Sequence, residues 1–100
     1  MITVKVTYTI KPSFVKQNLE NIRRFMNDFK QLEGFQYAVY TSADGNTFTH
    51  ISHYKDEVIQ KGVLAVPSFL AFQQQRDASG LIGEPQIEVL QLEEMVRPII

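Results

Sequence analysis

Residues Phe35 to Asp56, FQYAVYTSADGNTFTHISHYKD, hold two alternating runs that fold back on each other at Asp44-Gly45. An Asp-Gly pair between such runs is a strong hairpin signal, because glycine supplies the positive φ that a tight turn needs. With a loop of roughly two to four residues, Phe35 opposes Tyr54, Tyr37 opposes Ser52, Val39 opposes His50 and Thr41 opposes Phe48. Directly opposed residues share a face of the sheet. One face therefore carries Phe35, Tyr37, Val39, Phe48, His50 and Tyr54, and the other carries Gln36, Ala38, Tyr40, Thr49, Ile51 and His53. A slip of one residue would undo this sorting.

Before the hairpin, Ile2 to Ile10 alternates strictly, with Ile2, Val4, Val6, Tyr8 and Ile10 on one face of a strand. Lys11-Pro12 stops it and Ser13 is placed to cap a helix. Val15, Leu19, Ile22, Met26 and Phe29 then recur at helical spacing, which predicts an amphipathic helix of about five turns closed by Gly34. After the hairpin, Asp56 is the expected N-cap of a second helix. Pro67 must break that helix, which restarts with Phe69, Leu70 and Phe72 inward. Gln73 to Asp77 reads as its solvated end, Ser79 to Pro85 as a loop, and Gln86 to Leu92 as a fourth strand.

Composition narrows the function classes. A formal net charge of −1 with scattered basic residues excludes the clustered positive surface that nucleic acid requires. Without cysteine there is no disulfide, thiol nucleophile or thiolate-held metal. The longest apolar run, Val63 to Val66, is too short to span a bilayer, and with a strand pattern opening at Ile2 no secretory signal is expected. A cytoplasmic protein without membrane or nucleic-acid partners is expected.

The order is βαββαβ, expected as one domain over residues 1–100 with a core of about 1–92 and a tail of 93–100. It predicts an α+β, ferredoxin-like fold: a four-stranded antiparallel sheet with two helices on one face. The bare face, with Ala38, Tyr40 and Ile51, is too apolar for water and too small for a second core. Pairing two such sheets face to face would bury it, so a homodimer with those three residues in its seam is expected.

This order, the hairpin, and the run from Phe48 through Tyr54-Lys55-Asp56-Glu57 to Leu64-Ala65-Val66-Pro67-Ser68-Phe69 resemble the dimeric α+β barrel superfamily. Within it the chain is most similar to the antibiotic-biosynthesis-monooxygenase family. The resemblance implies a dimeric barrel in which each subunit keeps a small pocket between its helices and its sheet. It also implies oxidation of aromatic or quinol-like molecules by oxygen with no metal or flavin. Haem-degrading relatives rely on an Asn in the first strand, a Trp at the end of the third and a His on the second helix. Here the first strand has no Asn, Tyr54 holds the Trp position and the second helix has no His.

The candidate site follows from the pocket face. His50 is the candidate catalytic group, because an imidazole beside Tyr37 and Tyr54 could exchange a proton with a phenolic ligand near neutral pH. Tyr8, Tyr37, Ser52, Tyr54, Phe69 and Phe72 are the expected substrate contacts. His53 faces the other way, so the two histidines cannot share a metal, and neither a metal nor another cofactor is expected. The expected function is cofactor-independent monooxygenation of a small aromatic or quinone-type molecule. The alternative is a non-catalytic dimeric protein of the same fold that binds a small apolar ligand or is stress-associated.

Overall fold

The hairpin closes in the register its sequence implies, from Phe35 opposite Tyr54 to Thr41 opposite Phe48. Gly45 takes the left-handed conformation (φ 81°), and the Asp44 carboxylate accepts from the Asn46 and Thr47 backbone N–H groups and the Thr47 hydroxyl. These bonds hold the Asp44 carboxyl below its usual range, the Thr47 hydroxyl contributing most. The loop is thus pinned by its own side chains.

The computed structural model describes residues 1–100. The chain runs β1 (Ile2–Ile10), α1 (Val15–Phe29), β2 (Phe35–Thr41), β3 (Thr47–Tyr54), α2 (Glu57–Leu64), α3 (Pro67–Gln75) and β4 (Leu81–Leu90). Its four strands form one sheet in the order β2-β3-β1-β4, with β1 antiparallel to both neighbours. This is the expected α+β, ferredoxin-like arrangement. The core lies between sheet and helices, where Phe25 (0% exposed) packs its ring against Phe29, Tyr37, Phe69 and Phe72.

Asp56 caps α2 by accepting from the Ile59 N–H at 2.9 Å, and Pro67 opens α3 after the break at Val66. Other boundaries differ from the sequence reading. Ser13 caps nothing: Pro12 to Phe14 form a 3₁₀ turn, closed by the Phe14 N–H to the Lys11 carbonyl, that leads into α1 without a side-chain cap. At the other end α1 stops at Phe29 because the N–H groups of Lys30 and Gln31 tighten back onto the Asn27 and Asp28 carbonyls. Gly34 (φ 86°) instead turns the chain into β2, and its carbonyl accepts from Lys55 N–H.

Leu70 lies outside. Phe69 and Phe72 sit three apart and point inward, which rotates the residue after Phe69 toward solvent. The expected loop before β4 is also part of the strand. Gly83 (φ 74°) and Pro85 sit in an irregularity between the Thr7–Gln86 and Thr9–Ile82 pairs, so β4 starts at Leu81 and ends at Leu90. An edge strand tolerates this, since a proline there gives up no essential ladder bond. Finally, the stretch expected as a solvated end carries a buried residue: Arg76 opens a π-helical turn, Arg76–Gly80, and is 8% exposed. No helix is long and apolar enough to cross a membrane.

Candidate functional site

Val6 pairs with His50 and Tyr8 with Phe48, while Tyr37 pairs with Ser52. All six side chains point to the helix side, and the two tyrosines reach His50 on diagonals rather than straight across. The Tyr8 hydroxyl lies 2.7 Å from His50 Nε2, and the Tyr37 hydroxyl 2.7 Å from His50 Nδ1. Behind them Asn18, from α1, donates its Nδ2 to the Tyr8 hydroxyl at 3.0 Å. Asn18, Tyr8, His50 and Tyr37 therefore form one buried chain of hydrogen bonds linking a helix to two strands.

Two recesses adjoin this chain. One, of about 260 Å³, is lined by Val6, Tyr37, His50, Phe69, Phe72, Gln73 and Arg76, with Glu84, Pro85 and Ile87 at its β4 side. The other, of about 280 Å³, shares Val6, Tyr37, His50, Phe69, Gln73 and Ile87 and adds Val4, Ser52, Tyr54, Gln60, Leu64 and Val89. Each is near the lower end of the size of small-molecule sites, with mostly apolar walls and a few polar groups. The β4 side is open. Ile87 and Val89 pair with Val6 and Val4 and so face the helices, yet they are 70% and 78% exposed.

Of the residues singled out in the sequence, Tyr37, His50, Phe69 and Phe72 wall the first recess, and Ser52 and Tyr54 join Tyr37, His50 and Phe69 in the second. Tyr8 lines neither; it stands behind His50 and holds it. Ala38, Tyr40 and Ile51 lie on the opposite, helix-free face, where Ala38 pairs with Ile51 and Tyr40 is 58% exposed. No three His, Asp or Glu side chains come together to hold a metal.

Arg76 and Asn18 were not foreseen. The Arg76 guanidinium lies over the Tyr8 ring at 5.0 Å and the Phe72 ring at 5.3 Å, while its Nε–H donates to Asp77 at 3.0 Å. Aromatic faces and one carboxylate thus stand in for water around a buried cation. Its remaining N–H donors make no hydrogen bond to the protein. Both residues had a visible signal. Arg76 continues the Phe69, Phe72, Gln73 spacing, and Asn18 falls between Val15 and Ile22 on the apolar stripe of α1.

Burial sets the electrostatics. His50 is pushed down to about 3, chiefly because burial penalises the imidazolium and further because Arg76 is near. It does not titrate near neutral pH, and the expectation that it would is corrected: an imidazole this dry, facing a cation, stays neutral. Burial pushes the Tyr8 hydroxyl up to about 12 against the lowering effects of Asn18 and Arg76, and raises Tyr37 further. Tyr54 is raised by burial too. The hydrogen-bonded chain is therefore neutral throughout, with a fixed positive charge on its wall.

No family model matches the sequence, and no curated protein matches it. Solved structures do. A structure described as an antibiotic biosynthesis monooxygenase superposes with a TM-score of 0.82 at 16% identity, covering 94% of this chain and 100% of its own. A conserved protein from Methanosarcina mazei gives 0.79 at 19% identity, covering 92% of each chain. SnoaB, a cofactor-independent oxygenase from Streptomyces nogalater, gives 0.74 at 16% identity, covering 97% of each. The chain thus has the fold of the antibiotic-biosynthesis-monooxygenase-like proteins, as its sequence resemblance implied.

Proposed function

We propose that this chain is a cofactor-independent, monooxygenase-like enzyme that binds a small aromatic or quinone-type molecule in the recesses beside His50. The observation that carries the reading is the joining of a largely apolar cavity, a buried Tyr8–His50–Tyr37 chain and the Arg76 N–H groups not used by Asp77 in one place. SnoaB, which shares the fold and is a cofactor-independent oxygenase, supports the same class. Phe69 and Phe72 hold the rings, with Ser52 and Tyr54 on the wall of the second recess.

Because His50 is neutral, it works here as a relay between two hydroxyls rather than as a free-standing base. Arg76 favours the anionic form of a phenolic or enolic ligand, which makes the ligand electron-rich enough to reduce oxygen. For a ring CH₂ the overall step forms C=O with one atom of O₂. The other atom leaves as water with the two hydrogens, and the substrate supplies all four electrons. The protein is further proposed to act as a homodimer through the face bearing Ala38, Tyr40 and Ile51.

The test is oxygen uptake by the pure protein with anthrone- and naphthol-type compounds, alongside their effect on thermal stability. Uptake that disappears in His50→Ala, with the mass in solution unchanged, is the expected result; uptake unaffected by that change would remove His50 from the mechanism. The neutrality of every group along the chain equally suits a binding module that does no chemistry. Stabilisation by these compounds without oxygen uptake would favour that second reading.

A further inference from the structure

An asparagine is a poor choice for the dry stripe of a helix, since it gains nothing from burial without partners. Asn18 is nevertheless 0% exposed within α1, between Val15 and Ile22. It lines neither recess beside His50. Its Nδ2 donates to the Tyr8 hydroxyl, and its Oδ1 is buried without a partner. Such a residue costs stability, and its one bond goes to the hydrogen-bonded chain.

That bond fixes a direction. A tyrosine hydroxyl has one proton to give, and a neutral imidazole has one N–H and one lone pair. With Asn18 donating to it and no other acceptor within reach, the Tyr8 hydroxyl pairs its own proton only by giving it to His50 Nε2. His50 must then carry its proton on Nδ1 and donate it to the Tyr37 oxygen. The Tyr37 hydroxyl is left with a proton that no protein atom accepts, and Tyr37 walls both recesses. Turning the Asn18 amide over would reverse every bond and bury both of its N–H groups unpartnered. Under-satisfied carbonyl oxygens are the commoner compromise in protein interiors.

We propose that Asn18 is a positioning residue which, through Tyr8, sets the tautomer of His50 and so makes Tyr37 a hydrogen-bond donor to the ligand. In the first recess the polar wall then offers the Tyr37 O–H and the free N–H groups of Arg76 as donors, alongside Gln73 and, at the β4 side, Glu84. It selects a ligand that presents an acceptor oxygen there: a quinone or ketone carbonyl, or a phenolate or enolate, rather than a neutral phenol. This rests on the reading of the His50 recesses as the ligand site, and it deepens that reading by naming the oxygen that is recognised.

Nitrogen-15 NMR of the imidazoles in the full chain, with His53→Gln used to assign the signals, reads the tautomer without ligand or turnover. The expected wild-type result is a protonated Nδ1 and a bare Nε2 on His50; a protonated Nε2 would overturn the proposal. In Asn18→Leu, or in Asn18→Ala should the leucine not fold, the single tautomer should give way to exchange between the two. An unshifted, single Nδ1–H signal in the variant would show that Asn18 does not set it. The ligand arm uses 4-nitrophenol, whose visible absorption distinguishes phenol from phenolate. It should bind as phenolate, about tenfold more weakly in Tyr37→Phe; binding as neutral phenol, or equal binding in that variant, would overturn the donor assignment. Since the imidazole spectrum needs no oxygen chemistry, it can fail while oxygen uptake succeeds, and the reverse.

Discussion

Tyr8 and His50 are joined at 2.7 Å although neither opposes the other in the sheet: Tyr8 pairs with Phe48 and His50 with Val6. The bond spans a diagonal of the β1–β3 ladder, so it depends on the register and on both rings being held at their far ends. Asn18 does this for Tyr8, and Tyr37 does it for His50.

Removing the Tyr8 hydroxyl strands two buried groups at once, His50 Nε2 and Asn18 Nδ2. Tyr8→Phe should therefore lower stability by about 1–3 kcal/mol, read as a lower urea midpoint with an unchanged slope. Val58→Ala, at an exposed position of α2 outside the recesses and the sheet face, is the control and should leave the midpoint nearly unchanged.

Acid should weaken the fold before the carboxylates titrate. His50 is ordinarily near 6.5 and is held at about 3 in the fold, so between those values the unfolded chain binds a proton that the folded chain refuses. The stability from a neutral His50 is complete above pH 6.5 and is lost as pH falls toward 3, by up to about 1.4 kcal/mol per pH unit. Urea titrations between about pH 6.5 and 5, above the ordinary carboxylate range, should show this slope in the wild type and a flatter one in His50→Gln. Equal slopes would mean that the fold does not hold His50 neutral.

Two glycine changes should act with opposite sign. A Cβ on Gly80 would meet Phe14 Cε2 at 2.8 Å and Cγ at 2.9 Å, with Cδ2 closer still. Gly80→Ala should cost about 1–3 kcal/mol through the displaced ring. Gly62 lies inside α2 with nothing within 4 Å of its missing Cβ, and Gly62→Ala should raise stability by about 0.5–1 kcal/mol. Thermal melts of both variants decide the pair.

The helix-free sheet face gives a test of assembly. Ile51 and Ala38 are register partners there, beside the exposed Tyr40. If that face is a seam between two copies, the wild type should sediment as two chains at micromolar concentration and Ile51→Arg as one, since a buried unpaired charge is strongly unfavourable. A one-chain wild type would sink the face-to-face arrangement.

Local rules carried the sequence reading where structure is local. The Asp44-Gly45 turn, the strand alternation and Asp56 as a cap each need only neighbouring residues, and each stands as read. Remote groups override such local rules elsewhere. Ser13 lost its cap to a turn closed by backbone alone, and Pro85 stayed in a strand because β4 has a free edge. Leu70 is exposed because two phenylalanines decide which way α3 faces.

What the sequence by itself determined is which side chains share a face, because a period of two along a strand and a turn of known length leave no freedom in the matter. Tyr37, His50, Ser52 and Tyr54 are together for that reason. Only the tertiary structure decided what those residues can do. Asn18 and Arg76 arrive from other elements, and burial beside a cation keeps His50 neutral. An ionisable group takes its character from the solvent and charges around it, and folding brings those from elements distant in the chain.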